Sequence, residues 1–325
     1  MSDLLEGLNP QQAEAVTLPH ASALILAGAG SGKTRVLTTR IAWLVQTGQV
    51  SPHAILAVTF TNKAAREMLA RLSAMLPINT RGMWVGTFHG LCNRMLRAHY
   101  REGGMPQLFQ ILDSADQLGV VKRLLRGLNV DENRFEPRKV QWFINGHKEE
   151  GRRARDVVPG DDFERRMVEL FAAYDEQCQR EGVVDFTELL LRSYELLFRN
   201  EILRDHYRAR FRHILVDEIQ DTNSLQYRWL RLIAGRDTAM FAVGDDDQSI
   251  YRFRGANVGN MREFEQDCAA GRVIRLEQNY RSHGNILDAA NALISNNRNR
   301  LGKQLWTAEG KGEPLRVFEA VTDAE

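Results

Sequence analysis

Short apolar runs recur along the chain, and most of them give way to small or polar residues before a segment of helical periodicity begins. The first run, residues 23–27, leads through a glycine-rich turn into an amphipathic segment at 35–45. Strands and helices that alternate in this way indicate a parallel sheet with helices on both faces. The runs that predict further strands of this α/β sheet are 54–60, 83–86, 213–217, 239–243 and 272–276.

The stretch from about residue 90 to residue 211 has a different pattern. No run within it predicts a strand, and glycine and proline interrupt its helical periods. We therefore expect an inserted all-helical domain at 90–211. Elsewhere, Asn9 and Pro10 predict the cap and first turn of a short helix, residues 285–296 predict another helix, and residues 315–318 predict a strand.

Composition restricts the class of protein. A chain of 325 residues is long enough for roughly two domains, and 43% hydrophobic with 26% charged residues describe a globular protein. No apolar run approaches the ~20 residues of a spanning helix, and the N-terminus lacks a signal-peptide pattern. The three cysteines are too far apart for a zinc motif. We therefore expect a cytoplasmic protein. Its net charge of +1 argues against wrapping duplex DNA through bulk charge, but permits a narrow track for a single strand.

The turn after the first predicted strand has the pattern of a phosphate-binding loop. It reads A-G-A-G-S-G-K-T and comprises Ala27, Gly28, Ala29, Gly30, Ser31, Gly32, Lys33 and Thr34. We expect its glycines to adopt positive φ, so that backbone N–H groups approach an anion. Lys33 would reach the β- and γ-phosphates of a nucleotide, and the Thr34 hydroxyl would bind Mg²⁺. The usual pattern begins with glycine where this one has Ala27, and a simple glycine turn is the alternative.

Two acidic residues, Asp217 and Glu218, end the apolar run that begins at residue 213. Phosphoryl transfer needs a carboxylate to hold Mg²⁺ and a group that orients or deprotonates the attacking water. Asp217 suits the first role and Glu218 the second, whereas ordinary helix-capping charge is the alternative. A kinase needs no base against water, so Glu218 favours nucleotide hydrolysis. Further along, Gln248 follows another predicted strand and can donate to a γ-phosphate.

Aromatic and polar residues follow three of the predicted strands. Rings and guanidinium planes can stack on bases, and hydroxyl, amide and basic groups can contact a phosphate backbone. For the residues near 60 and 87, a helix N-cap beside a buried Phe is an equally good interpretation. Likewise, the basic excess in residues 121–155 predicts either a solvated helix face or a nucleic-acid contact. The candidate DNA-binding residues are Phe60, Thr61, Asn62, Thr87, His89, Tyr251, Phe253 and Arg254.

These motifs resemble, in order and spacing, the motor motifs of superfamily 1 DNA helicases, above all those of the UvrD/PcrA/Rep group. The resemblance extends over essentially the whole chain. Two positions depart from the pattern: Ile219 stands where the family usually has an aromatic residue, and Phe253 where it usually has Trp. The segments that carry the resemblance are Gln12, 27–34, 59–63, 87–89, 217–223, 244–255 and 278–282.

The resemblance implies further residue roles. Gln12 would recognise the adenine edge, Arg35 would lie beside the base, and Tyr280 would stack on it. Arg281 would act as an arginine finger on the γ-phosphate, which Gln248 would also sense. The implied ligands are ATP, Mg²⁺, single-stranded DNA and junctions of single- and double-stranded DNA.

The resemblance also implies a fold, a function and a division into domains. Residues 1–89 and 212–277 would form a first RecA-like motor domain, residues 90–211 its helical insertion, and residues 278–325 the first elements of a second RecA-like domain. The family translocates 3′→5′ on one strand. We therefore expect an ATP-dependent DNA helicase of nucleotide excision and mismatch repair, with repair proteins as partners and a place at the nucleoid.

The later motifs of the family, including a second arginine finger, do not follow Arg281. Since an arginine finger contributes roughly 10³–10⁵ in rate, we expect a fragment that binds ATP and single-stranded DNA but hydrolyses slowly. Two alternatives stay open: a nucleotide-switched DNA- or protein-binding module without motor activity, and a subunit of a helicase–nuclease.

Overall fold

The β-strands form one large and one small sheet. The protein is described by a computed structural model that covers residues 4–251, 255–297 and 300–319. Within these ranges the strands, numbered in chain order, are β1 (Ala23–Ala27), β2 (Ile55–Thr59), β3 (Trp84–Thr87), β4 (Gln110–Ile111), β5 (Val183–Val184), β6 (His213–Val216), β7 (Ala239–Gly244) and β8 (Val273–Leu276).

Helices connect the strands and form the region between β3 and β6. Those described are α1 (Pro10–Thr17), α2 (Lys33–Gln46), α3 (Asn62–Met75), α4 (Phe88–Ala98), α5 (Ser114–Gly127), α6 (Pro137–Glu149), α7 (Asp162–Glu181), α8 (Phe186–Arg199), α9 (Glu201–Arg210), α10 (Ser224–Ile233), α11 (Gly259–Asp267) and α12 (Gly284–Ile294). None of these described helices is long and apolar enough to cross a membrane.

The large sheet has the strand order β3-β2-β6-β7-β1-β8, and every neighbouring pair is parallel. The predicted parallel α/β sheet is therefore confirmed. Parallel strands all point the same way, so the residues that follow them gather at one edge of the sheet. The phosphate loop after β1, the acidic pair after β6 and the loop after β7 meet there for this reason.

Alternate residues of the strands are buried on the two faces of the large sheet. On one face, Ile25 and Phe241 share an apolar cluster with residues of α1, α2 and α3. On the other face, Leu24 and Val216 share a cluster with residues of α4, α8, α10 and α11. Burial on both faces explains why these strands read as continuous apolar runs.

The helical region contributes to two apolar clusters. Residues of α4, α8 and α9 belong to the cluster on the sheet, whereas α5, α6 and α7 enclose a cluster of their own. The expectation of no strand in this region was wrong, because β4 pairs with β5 in a parallel two-stranded sheet. A two-residue strand is too short to show a period of two in the sequence. The domain boundaries at 90 and 211 stay a prediction.

Two other predictions of local structure differ in outcome. Asn9 caps α1 in a capping box with Gln12, and Pro10 is the first helical residue, as predicted. The strand expected at 315–318 is not formed: Val317 is 98% exposed, and no strand in the described ranges pairs with it. An apolar run becomes a strand only where a neighbouring strand satisfies its backbone groups.

Candidate functional site

The phosphate loop joins β1 to α2. Gly30 and Gly32 have φ of 69° and 86°, the left-handed region that favours glycine. Gly32 is also the N-cap of α2 and leaves the first turn without a side-chain cap. The N–H groups of that turn therefore remain available to an anion, as the interpretation of a phosphate cradle requires.

Gly28 serves a different purpose from the one predicted, because it is not among the residues with positive φ. A Cβ at Gly28 would lie 2.2 Å from Leu305 Cδ2, so glycine here permits close approach of the segment that follows α12. The same loop is closed internally, since Ser31 Oγ donates to the Gly28 carbonyl at 2.7 Å. The expectation of positive φ at all three glycines was therefore wrong at one of them.

Lys33 and Glu218, predicted from motifs far apart in sequence, form an ion pair of 3.0 Å between Nζ and Oε2. Glu218 Oε2 also accepts from Gln220 Nε2 at 2.8 Å. The backbone of Glu218 is left-handed, with φ 51° and ψ 51°, which is uncommon for a residue other than glycine. The turn after β6 thus directs this carboxylate towards the phosphate loop.

Asp217, at the end of β6, is a buried acid whose Oδ1 has no hydrogen-bond partner in the described ranges. Burial, together with the neighbouring charge of Glu218, raises the pKa of Asp217 to about 7. For the same two reasons the pKa of Asp221 rises to about 6. Lys33 opposes both shifts but does not cancel them. Buried carboxylates whose negative charge is offset only in part fit a divalent cation, which prefers oxygen ligands. Asp217 therefore fits Mg²⁺, and the role of Thr34, the second residue of α2, stays a prediction.

The side chain predicted to recognise adenine is already bound within the protein. Gln12 is buried, and its Nε2 donates to the Ser31 carbonyl at 2.9 Å. Its Oε1 accepts from the Asn9 backbone N–H at 3.2 Å. Gln12 therefore holds the N-terminus of α1 against the phosphate loop, and its second amide proton makes no hydrogen bond within the described residues.

Tyr280, whose ring is predicted to stack on adenine, lies beside the phosphate loop and the start of α1. Tyr280 is about half exposed, and its backbone N–H donates to the Gly30 carbonyl at 2.9 Å. Its hydroxyl donates to Gln278 Oε1 at 3.0 Å and accepts from Asn9 Nδ2 at 2.9 Å. Arg35 lies on α2 and donates from Nη2 to the Glu6 carbonyl at 3.0 Å.

Asn279 lies in the segment 278–282 that carries the resemblance, but no role was predicted for it. It is 3% exposed, and its Nδ2 donates to the Ala29 carbonyl at 2.6 Å. Its Oδ1 accepts from the backbone N–H groups of Arg281 and Ser282 at 2.8 and 2.7 Å. Asn279 thus fixes the turn that carries the exposed Arg281 against the phosphate loop. Its position directly before the predicted stacking and finger residues was the only signal available.

Gln248, predicted to sense the γ-phosphate, donates from Nε2 to the carboxylate of Asp245. The backbone N–H of Asp245 donates in turn to Gln220 Oε1 at 3.0 Å. Because Gln220 also contacts Glu218, the loop after β7 is connected to the acidic turn after β6. Gln220 lies in the segment 217–223 that carries the resemblance, but no role was predicted for it.

Phe60 and Tyr251, two of the candidate DNA-binding residues, are stacked on each other. Their ring centroids are 5.5 Å apart and their planes are inclined by 25°. Phe60, Thr87 and His89 line a cavity of about 210 Å³. His89 packs its ring edge-on against Phe186, and burial lowers its pKa below the ordinary value. These aromatic groups therefore form one surface.

The polar candidates near this surface also serve the fold. Thr61 caps α3 by accepting from Ala64 N at 3.1 Å, and Thr87 caps α4 by accepting from Gly90 N at 3.2 Å. Thr87 Oγ1 also donates weakly to Asn62 Oδ1 at 3.5 Å. The capping interpretation of both threonines is therefore correct, and their contact with DNA stays a prediction. Phe253 and Arg254 lie outside the described residues.

Comparison with known proteins identifies the family. Residues 8–269 match the family model described as UvrD/REP helicase N-terminal domain, and residues 274–325 match that of the UvrD-like helicase C-terminal domain. DNA helicase II of Escherichia coli K12 is 52% identical over 326 residues, which cover 100% of this chain and 45% of that protein. ATP-dependent DNA helicase PcrA of Leuconostoc citreum is 44% identical over 323 residues, 98% of this chain and 43% of that protein. The chain thus spans less than half the length of these relatives, and it belongs to the UvrD/REP family of helicases.

Proposed function

We propose that the protein is an ATP-dependent DNA helicase that moves 3′→5′ on single-stranded DNA and acts in DNA repair. The observation that carries the proposal is the meeting of Lys33 and Glu218, 185 residues apart in sequence, beside a loop with two left-handed glycines. This arrangement joins a phosphate-binding group to a base that can activate water. The names of the matched relatives, which are DNA helicases, support the same function.

The site residues divide the work of hydrolysis between them. The first turn of α2 and Lys33 would bind and orient the phosphates of ATP. Thr34 and Asp217 would hold Mg²⁺, which when bound neutralises charge on the β- and γ-phosphates. When ATP enters, Lys33 would turn from Glu218 to the phosphates, and the freed carboxylate would orient the attacking water and accept its proton. Gln248 and Arg281 would contact the γ-phosphate.

The adenine base of ATP would lie between α1 and the turn after β8. Tyr280 offers a half-exposed ring there, and Gln12 and Arg35 lie on the neighbouring helices. We propose that Tyr280 stacks on adenine, that Gln12 uses its remaining amide proton to recognise the adenine edge, and that Arg35 lies beside the base.

The single strand would cross the surface formed by Phe60, Tyr251 and His89, with Thr61, Asn62 and Thr87 on its rim. A ring face stacks on any base, so such a surface binds without regard to sequence. Phe253 and Arg254 would extend it. We further propose that single- to double-strand junctions are the substrate, that partners come from excision and mismatch repair, and that the protein works in the cytoplasm at the nucleoid.

The proposed domains follow the same division of labour. Residues 1–89 and 212–277 would carry the ATP site, residues 90–211 would form the helical insertion, and residues 278–325 would begin the second motor domain. The contacts of Asn279 and Tyr280 to the phosphate loop support a joint between the first and second motor domains at the nucleotide.

The test measures phosphate release from Mg-ATP with and without oligothymidylate, in the unsubstituted protein and in Glu218→Gln. Loss of a general base lowers kcat by about 10²–10⁴, while nucleotide affinity should change little. Glu263→Gln, an exposed acid on α11, is the matched control and should leave the rate unchanged. Turnover that persists in Glu218→Gln would contradict the proposed role of this carboxylate.

Partial duplexes with a 3′ or a 5′ single-stranded tail test the direction of movement. Unwinding only from the 3′ tail is expected, at a rate limited by the slow hydrolysis expected of this chain. Nucleotide-dependent DNA binding without any turnover would instead favour a switched binding module over a motor.

A further inference from the structure

The segment that follows α12 returns to the sheet and contacts the loop after β7. Leu301 N donates to Asp246 Oδ2 at 2.6 Å, and Arg300 Nε donates to Asp247 Oδ1 at 2.9 Å. This segment lies in the part of the chain that matches the C-terminal family model, whereas β7 and its loop lie in the part that matches the N-terminal one. The contact therefore links the two parts.

Lys303 provides the positive charge at the centre of this contact. Its Nζ forms ion pairs with Asp245, Asp246 and Asp247, at 3.3 Å to Asp246 Oδ1. Lys303 is 7% exposed and Asp245 is 2% exposed. Burial alone would lower the pKa of Lys303, but the facing carboxylates raise it above its ordinary value, so the side chain is charged.

The same three carboxylates lie close enough together to hold a metal ion. The ammonium of Lys303, however, contacts each of them, and Arg300 contacts Asp247 as well. Two cations of the protein thus offset most of the charge of the three carboxylates, which therefore form an ion-pair network and not a metal site.

Asp245 connects this network to the candidate nucleotide site. Its carboxylate contacts Lys303 and accepts from Gln248 Nε2, and its backbone N–H donates to Gln220 Oε1 at 3.0 Å. Gln220 Nε2 donates to Glu218 Oε2 at 2.8 Å. A continuous path of polar contacts therefore runs from Lys303 to the two side chains expected to meet the γ-phosphate and the attacking water.

We propose that Lys303 is a positioning residue, which holds Asp245 so that Gln248 and Glu218 are correctly placed for the γ-phosphate. The inference rests on the proposed ATPase function and deepens it, because it names the residue through which the C-terminal part of the chain reaches the site. Without the ammonium, Arg300 would be the one cation that contacts the acidic cluster within the described residues. Its excess negative charge would then oppose the terminal phosphate of ATP, which ADP lacks.

The test compares the affinities of a fluorescent non-hydrolysable ATP analogue and of fluorescent ADP in the presence of Mg²⁺. Lys303→Gln removes the charge, and Lys303→Arg keeps it. Lys311→Gln is the matched control, because Lys311 lies further along the same segment with its side chain 75% exposed and pairs only at the surface with Asp288. Thermal melting of each variant reports on folding separately.

Lys303→Gln should weaken binding of the ATP analogue by about fivefold or more while ADP stays within about twofold, as expected for two coupled sites. Lys303→Arg should retain most of the affinity for the analogue, and Lys311→Gln should retain both affinities. Equal losses for both nucleotides, or a lower melting temperature with an unchanged ratio of affinities, would leave Lys303 a structural residue only and overturn the inference. If the unsubstituted chain bound neither nucleotide, the proposed function itself would fail.

Discussion

Replacement of Asn279 by Ala tests how the turn after β8 is attached to the phosphate loop. The side chain is almost fully buried and makes three hydrogen bonds, one to the Ala29 carbonyl and two from the backbone of Arg281 and Ser282. Alanine can replace none of them. The substitution also removes little apolar packing, so its effect reports mainly on these bonds.

The magnitude follows from the count of bonds. At about 1 kcal/mol net for each hydrogen bond, Asn279→Ala should lower the free energy of unfolding by about 3 kcal/mol. Because one of the three bonds holds the loop at Ala29, affinity for Mg-ADP should fall as well. Asn279→Asp keeps the acceptor oxygen but loses the donor to Ala29. It should therefore lose less stability than Asn279→Ala, but as much affinity for Mg-ADP.

Urea unfolding, followed by tryptophan fluorescence with and without Mg-ADP, measures both quantities. Asn285→Ala is the control, because Asn285 belongs to the same part of the chain and bonds at the surface to the carbonyls of Gly312 and Glu313. Because water can replace these two exposed hydrogen bonds, its unfolding free energy should change by less than about 0.5 kcal/mol. If Asn279→Ala behaved like this control, the turn would not be held through Asn279, and the reasoning would be refuted.

Three further predictions concern DNA binding and pH. Phe60→Ala or Tyr251→Ala should each cost about 1–3 kcal/mol of single-strand affinity in a fluorescence-anisotropy titration; unchanged affinity would restrict that ring to packing. Burial, with Arg40 nearby, lowers the pKa of His213 to about 3, so the unfolded state takes up its proton first and stability falls below pH 6.5. Between pH 7 and pH 5 the free energy of unfolding should therefore fall by about 2 kcal/mol less in His213→Gln than in the unsubstituted protein. The same fall in both proteins would contradict this. The folded state binds the Asp217 proton more tightly than the unfolded state, so this acid reduces stability as pH rises from about 4 to about 7. At pH 8, with a chelator present, urea unfolding should therefore show Asp217→Asn to be more stable than the unsubstituted protein by up to about 4 kcal/mol. No gain in stability would show that burial does not destabilise the charged Asp217.

The sequence was sufficient for features that depend on local pattern. The apolar run before Gly28, a helix cap near residue 61 and the six strands of the large sheet all follow from residue spacing and agree with the structure. Features that depend on distant contacts could not be predicted in this way. Gly28 makes room for Leu305, and Asn279 donates to the Ala29 carbonyl. Residue spacing near either position does not predict contacts with a partner so far along the chain.

The burial and the partners of charged side chains were the hardest features to predict from the sequence. Lys148 belongs to the basic stretch 121–155, yet it is 1% exposed and forms ion pairs with Asp175, Asp185 and Glu188. It therefore joins α6, α7 and α8 and is not available to nucleic acid. A buried cation is tolerated only when acids from other elements surround it, and those acids lie 27 to 40 residues further along the chain, where spacing in the sequence cannot pair them.

The most direct test of the central claim, that the loop after β1 and the acidic turn after β6 form an ATP site, is an equilibrium titration of the chain with a fluorescent ATP analogue and Mg²⁺. One saturable site is expected. Lys33→Ala should weaken its affinity by about tenfold or more, the range for loss of a charge-assisted hydrogen bond to phosphate. Absence of saturable binding, or equal affinity in Lys33→Ala, would contradict the account.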